Sequence, residues 1–177
     1  MRAGQCVAEI AVLLLVAACG RDRSGPIAEH LKNKQAAVFV FLAPDCPLSQ
    51  SYTRTLNDLY AQFQGSGIEF YAVFTGDAAV QDFVATYKIT FPVLLDRDYR
   101  LMDFFGATKT PEAFAVDAKG RTFYQGAIDN SAPELGQHRT VITEHYLQDA
   151  LNAFNQHQEI RIKQTNAVGC FIERSRS

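Results

Sequence analysis

Seven consecutive apolar residues, Ala36 to Leu42, constrain this chain more than any other stretch. The run is rich in β-formers and does not alternate with polar residues. Both faces of such a strand must be covered, which is the pattern of an interior strand in an α/β sheet. A helical period follows at once, with apolar residues at Leu48, Tyr52, Leu56, Leu59, Tyr60 and Phe63 marking one face. Gly65 and Gly67 end that helix. Between strand and helix lies Ala43-Pro44-Asp45-Cys46-Pro47. Pro47 suits the first helical position, where its missing N–H costs nothing. Cys46 therefore sits at a helix N-terminus, where unpaired N–H groups and the helix dipole favour a thiolate over a thiol.

The rest of the chain continues the α/β order. Ile68 to Phe74 reads as a second strand, and Val80, Phe83, Val84 and Tyr87 as a second helical face. Phe91 to Leu95 predicts a short strand, and Leu101 to Phe105 a short helix closed by Gly106. Thr110-Pro111 then opens a strand with an X-Pro bond, where a cis peptide can face a reactive cysteine. Ala113 to Val116 and Thr122 to Gln125 flank the turn Asp117-Ala118-Lys119-Gly120, a hairpin signature. Residues 127–139 form a polar loop. Thr143 is placed to cap a last helix with Glu144 in its first turn and Leu147, Ala150, Leu151 and Phe154 on its face. Glu159 to Thr165 alternates polar and apolar residues, as an edge strand would. The order predicts an α/β fold with a mixed central sheet, parallel at first and antiparallel at the end.

The first residues read differently. Arg2 gives a positive start, Ile10 to Ala18 is apolar, and Val16-Ala17-Ala18-Cys19 places small residues before a cysteine. This pattern is a secretory signal over residues 1–18 with Cys19 as a lipidation site. The apolar run is short for a bilayer span. The expected organisation is then a lipidated N-terminus and tether over 19–34, with a short helix over Ile27 to Lys34. A domain over 35–157 and a tail over 158–177 follow. The expected location is the cell envelope, lipid-anchored and facing the periplasm or exterior. A net charge of −2 without a long basic block argues against nucleic acid as a partner. Four cysteines occur; Cys6 lies in the leader and Cys19 at the anchor, so the folded domain keeps Cys46 and Cys170. In an exported domain two such cysteines often pair.

Three stretches carry a family resemblance. APDCP after an apolar strand resembles the active-site motif of thioredoxins. TPEAFAVDAKGRTFYQGAID resembles the cis-proline hairpin of the bacterial redoxin group, which includes extracytoplasmic thioredoxins and relatives of peroxiredoxins. AVGCFI resembles the ending of a subset of exported redoxin-domain proteins. The likeness covers about residues 36–173. It implies a thioredoxin-like fold, a helix-opening Cys46 as nucleophile, a cis Pro111 shaping a cleft for an extended substrate strand, and thiol–disulfide chemistry without an organic cofactor. The chain departs from the related patterns at defined places. Ser49 stands where thioredoxins carry their second cysteine. Phe39 and Ala43 stand where peroxiredoxins carry the proline and threonine of their peroxide site. Gln50 stands where copper chaperones of this fold carry their second thiol.

Cys170 is the available second thiol. A last helix of about thirteen residues carries the chain roughly 20 Å from the active-site end. The tail from His157 to Cys170 can span about 40 Å when extended, enough to return. Gly169 would ease a tight backbone approach. Four supporting residues complete the candidates: Ser49 as a hydrogen-bond partner of a thiolate, Glu112 as a proton relay, Asp129 at the cleft rim, and His145 as a base or metal ligand. The expected function is an exported, monomeric thiol–disulfide oxidoreductase acting on protein thiols or disulfides, with Cys46 attacking and Cys170 resolving. Three alternatives stay open: a Cu(I) site built from Cys46, Cys170 and His145, a thiol peroxidase, and a disulfide that is only a staple.

Overall fold

A computed structural model describes residues 25–174. The expected leader, the expected lipidation residue Cys19 and the polar start of the expected tether lie outside the described residues. Seven strands and four α-helices follow a short 3₁₀ helix, Gly25–Leu31. In chain order they are β1 (Ala36–Phe41), α1 (Pro47–Phe63), β2 (Ile68–Phe74), α2 (Val80–Tyr87), β3 (Val93–Leu95), α3 (Arg100–Phe105), β4 (Lys109–Thr110), β5 (Glu112–Asp117), β6 (Thr122–Gly126), α4 (Tyr146–Asn155) and β7 (Cys170–Phe171).

The main sheet has the order β3-β2-β1-β5-β6, which puts β1 in the middle. β1 pairs in parallel with β2 and antiparallel with β5. Its six residues are all buried, as the unbroken apolar run requires. Their side chains divide by the two-residue period of a strand. Ala36, Val38 and Val40 pack with Leu56, Leu59 and Phe63 of α1 and with Leu147 and Leu151 of α4. Ala37, Phe39 and Phe41 face Ile27 and Leu31 of the 3₁₀ helix, Leu101 of α3 and Phe114. The Phe39 ring stacks on Tyr71 at 5.2 Å and meets Phe105 at 5.1 Å.

Three local expectations are corrected. The second half of the expected tether is part of the packed body, because Ile27 and Leu31 cover the outer face of β1. The last helix begins at Tyr146 with His145 at its N-cap position. Thr143 is engaged elsewhere: its hydroxyl accepts from Asn130 Nδ2 at 2.8 Å, and its N–H donates to Asn130 Oδ1 at 3.1 Å. The edge strand expected over Glu159–Thr165 shrinks to a single bridge, Gln125 to Gln164. Beyond it the tail runs on to a separate two-stranded pairing, β4 with β7.

Candidate active site

Register brings the site together. Phe41, the last residue of β1, lies opposite Glu112, the first residue of β5. The chain leaving β1 toward Cys46 and the Thr110–Pro111 peptide entering β5 therefore meet at one end of the sheet. That peptide is cis. Cys46 occupies the N-cap position of α1 with Pro47 beginning the helix. Its Sγ donates to Thr110 O at 3.0 Å. The juxtaposition expected from the two sequence stretches is present.

The tail supplies the third side. Thr110 is the cross-strand partner of Cys170, and Lys109 of Phe171. Ile172 N–H donates to Thr108 O at 2.9 Å, and Lys109 Nζ to Ala167 O at 2.9 Å. Gly169 is required here: a Cβ at that position would lie 2.0 Å from Thr110 O. Further back, Thr165 Oγ1 accepts from Ala127 N–H at 2.9 Å. Gly126, at φ +127°, lets Thr165 come so close that a Cβ would sit 2.2 Å from its carbonyl oxygen. At the far end Arg174 pairs with Asp103. Both cysteines are free thiols.

The two sulfurs differ in environment. Cys46 is 1% exposed. Burial pushes its thiol up, but hydrogen bonds from the Cys170 thiol, the Ser49 N–H, the Thr110 hydroxyl and the Cys170 backbone outweigh this and bring it down to about 7. Cys170 is partly exposed. Its shared hydrogen bond with Cys46, its burial and the charges of Cys46 and Asp45 raise it to about 11. Thr110 Oγ1 is buried and, among the described residues, meets no partner in good geometry. A thiol that donates to Thr110 O leaves this hydroxyl idle, whereas a Cys46 thiolate accepts from it.

The supporting residues are placed as follows. Ser49 is fully buried, and its Oγ accepts from Ala43 N–H at 3.2 Å. Its side chain thus braces the loop before Cys46, and its backbone N–H is the part that reaches the sulfur. Glu112 does not stand as a free relay, because its Oε2 accepts from Thr108 N–H at 2.9 Å and Lys109 N–H at 3.2 Å. This ties down the segment before Pro111. Asp129 does not rim the cleft; it is 4% exposed. Its Oδ1 accepts from Tyr52 OH at 2.6 Å and Ser131 N–H at 2.8 Å. With Tyr52, Pro111 and Val168 it lines a void of about 10 Å³. His145 is exposed at the start of α4. Among the described residues no three Cys, His, Asp or Glu side chains gather as metal ligands, so His145 does not complete a site with the cysteines. Sequence reasoning missed the Thr110 hydroxyl, although Thr110 stands in the motif beside Pro111, and it missed Lys109 as a holder of the tail.

A groove of about 760 Å³ opens beside the pair, between Pro44 and Asp45, Gly76 to Ala79, and Phe171 to Glu173. Cys170 and Thr110 line it, and Leu42 and Phe74 form part of its floor.

A buried cysteine heading a helix, facing a cis proline at one end of a mixed sheet, defines a thioredoxin-like protein. Within that class the chain belongs to the AhpC/TSA family, which residues 23–124 match. The thiol-disulfide oxidoreductase ResA of Bacillus anthracis is 31% identical over 125 residues, covering 69% of this chain and 72% of ResA. An uncharacterized conserved protein from Geobacillus kaustophilus shares the fold with a TM-score of 0.74 at 24% identity, over 84% of this chain and 82% of that one. DsbF of MTB, solved in mixed oxidised and reduced forms, is 26% identical with a TM-score of 0.51, over 73% of this chain and 84% of its own. The family match ends before α4 and the tail that carries Cys170.

Proposed function

We propose that this protein is a thiol–disulfide oxidoreductase whose redox pair is Cys46 and Cys170. The observation that carries the reading is that both cysteines converge on Thr110: Cys46 Sγ donates to its carbonyl, and Cys170 is its cross-strand partner on a tail whose Gly169 fits against it. The tail thiol takes the place of the C-x-x-C partner absent at Ser49. Similarity to ResA supports the reaction class. Oxidation joins the two sulfurs and releases two protons and two electrons to a partner disulfide; reduction reverses this. Pro111 shapes the approach to the pair, and the N–H groups at the head of α1 stabilise the Cys46 thiolate. The substrates are protein thiols or disulfides. The leader and Cys19 support export and lipid anchoring. A peroxidase role lacks support at Ala43, which has no hydroxyl for a peroxide.

Two adjacent thiols also suit Cu(I), so the test must separate both uses. Oxidised protein is expected to yield a Cys46–Cys170 linked peptide in a non-reducing digest and to catalyse insulin reduction when a dithiol is supplied. Two free thiols after oxidation would overturn the redox pair. Tight Cu(I) uptake by the reduced protein with no such catalysis would favour the metal reading.

A further inference from the structure

The expected division of labour gives the attack to Cys46 and leaves resolution to the tail. The accessible surface is arranged the other way. Cys46 has essentially no exposed surface. The strand β7 lies along Lys109–Thr110, beside Pro111, where an extended partner would have to pair to reach it. Removing that strand means breaking its pairing, the Ile172 to Thr108 bond and the Lys109 to Ala167 bond together. Cys170 is partly exposed and lines the 760 Å³ groove, whereas Cys46 does not line it.

We propose that the partner's sulfur joins Cys170, not Cys46, and that it arrives through the groove between the Pro44–Asp45 loop, Gly76–Ala79 and Phe171. The proposal rests on Cys46 and Cys170 forming the redox pair. In the oxidising direction a partner thiolate attacks Cys170 Sγ of the Cys46–Cys170 disulfide. The partner–Cys170 bond forms, the internal S–S bond breaks, and its electron pair leaves on Cys46 as a thiolate. The partner's second thiol then loses its proton and attacks the partner sulfur of the mixed disulfide. Cys170 leaves as a thiolate and takes up a proton. The partner dithiol has become a disulfide, and the protein disulfide a dithiol. Reduction of a partner disulfide is the same path reversed, with Cys170 attacking first and buried Cys46 closing the internal bond.

Leaving-group chemistry agrees with this route. A sulfur is expelled faster when its thiol is more acidic. When Cys46 leaves, the Ser49 N–H, the Thr110 hydroxyl and the Cys170 backbone are already in place to receive its charge. Were Cys170 expelled first, its thiolate would form beside the Asp45 carboxylate; on the route above it leaves second and takes up a proton. Asp45 and Glu173 bring acidic groups to the groove, Leu42 and Phe74 give it a buried apolar lining, and Phe171 stands exposed at its edge. A partner segment with apolar residues and without acidic ones around its cysteine fits that lining.

The test uses wild-type protein. Oxidised protein is mixed with a single-cysteine peptide lacking acidic residues and quenched in acid after short delays. Free thiols are then alkylated, and the adducts are mapped by mass spectrometry. The peptide is expected on Cys170 with Cys46 alkylated, in at least about tenfold excess over the opposite pattern, as burial of one sulfur dictates. Peptide on Cys46, or on both equally, overturns the proposal and leaves the redox pair intact. Failure to find a Cys46–Cys170 linkage in the oxidised starting material overturns the pair itself. A second measurement covers adducts too short-lived to trap. Cys46→Ser should form a mixed disulfide with the oxidised, dimeric form of the peptide faster than Cys170→Ser does. The reverse order overturns the proposal.

Discussion

The two cysteines are held by opposite means. Cys46 is fixed by regular structure: β1 delivers it, α1 begins on it, and a core on both faces of the sheet holds the two in place. Cys170 is held by a tail with a two-residue strand, one bridge and a few single hydrogen bonds. The first position cannot move without unfolding the domain. The second hangs on far fewer contacts. A catalyst that must open and close a disulfide gains from this asymmetry, because one sulfur keeps its electrostatic setting while the other carries the exchange.

The largest effect that would break this contrast lies in the framework. Phe39 is fully buried at the centre of the outer-face cluster. Phe39→Ala is expected to cost about 3–5 kcal/mol, since it removes a large core ring and leaves a cavity. Urea unfolding followed by far-UV circular dichroism checks this. A cost near zero would mean the outer face is not the core described. Gly169→Ala is expected to do the reverse. Its Cβ would fall on the Thr110 carbonyl, against backbone that cannot turn aside. The tail must lift, so internal disulfide formation should slow by about two orders of magnitude, while the unfolding midpoint moves by no more than an ordinary surface change. Thiol counting during oxidation with a mild oxidant reads the first effect. Normal disulfide formation in this variant would show that the tail's close approach is not what sets the pair.

The same contrast governs what could be read from sequence. The framework half was legible because each signal is local. An unbroken apolar run, a period of three to four, Cys46-Pro47 at a helix start and Thr110-Pro111 before a strand specify their own geometry. The thioredoxin-like order followed from them. The return of the tail was legible only as reach, with Gly169 as the hint of close approach. Failures came where a residue's partner is remote. Thr143 looks like a helix cap until Asn130 claims it. Glu112 looks like a free carboxylate until the Thr108 and Lys109 N–H groups claim it. Asp129 sits in a loop, yet Tyr52, seventy-seven positions away, takes it inward. Ile27 reads as tether because only the fold reveals the open face of β1 that it covers.

Proton linkage sharpens the contrast at intermediate scale. The unfolded chain holds the Cys46 proton up to the ordinary range near 8.5, while the folded protein releases it at about 7. Between those values the unfolded state binds more protons, so the reduced protein should gain stability as pH rises. That contribution is complete above the ordinary thiol range and is lost as pH falls through about 7. Cys170 acts with the opposite sign. Its thiol is held to about 11, so the folded state keeps a proton the unfolded state gives up, and stability should fall over that higher window. Thermal unfolding of the reduced protein against pH should therefore rise and then decline. Cys46→Ser should remove the rise, and a profile unchanged by it would mean the Cys46 thiolate is not stabilised by folding.

Thr110→Val is expected to have the smallest effect and to tell thiolate stabilisation from packing. Valine keeps the shape of threonine and replaces the hydroxyl with a methyl group. Among the described residues Thr110 Oγ1 is buried without a hydrogen-bond partner while Cys46 is a thiol, and removing an unmet buried hydroxyl is close to neutral or slightly stabilising. The folded reduced protein should thus lose no stability at a pH below 7. The hydroxyl helps lower the Cys46 pKa, so its loss should move the inflection in the rate of Cys46 alkylation by a small reagent upward from about 7. Two opposite responses from one atom follow only if the hydroxyl is idle beside the thiol and engaged by the thiolate. A drop in stability with no shift of the inflection would make Thr110 a packing residue beneath the tail and leave the Ser49 N–H and Cys170 to set the acidity of Cys46.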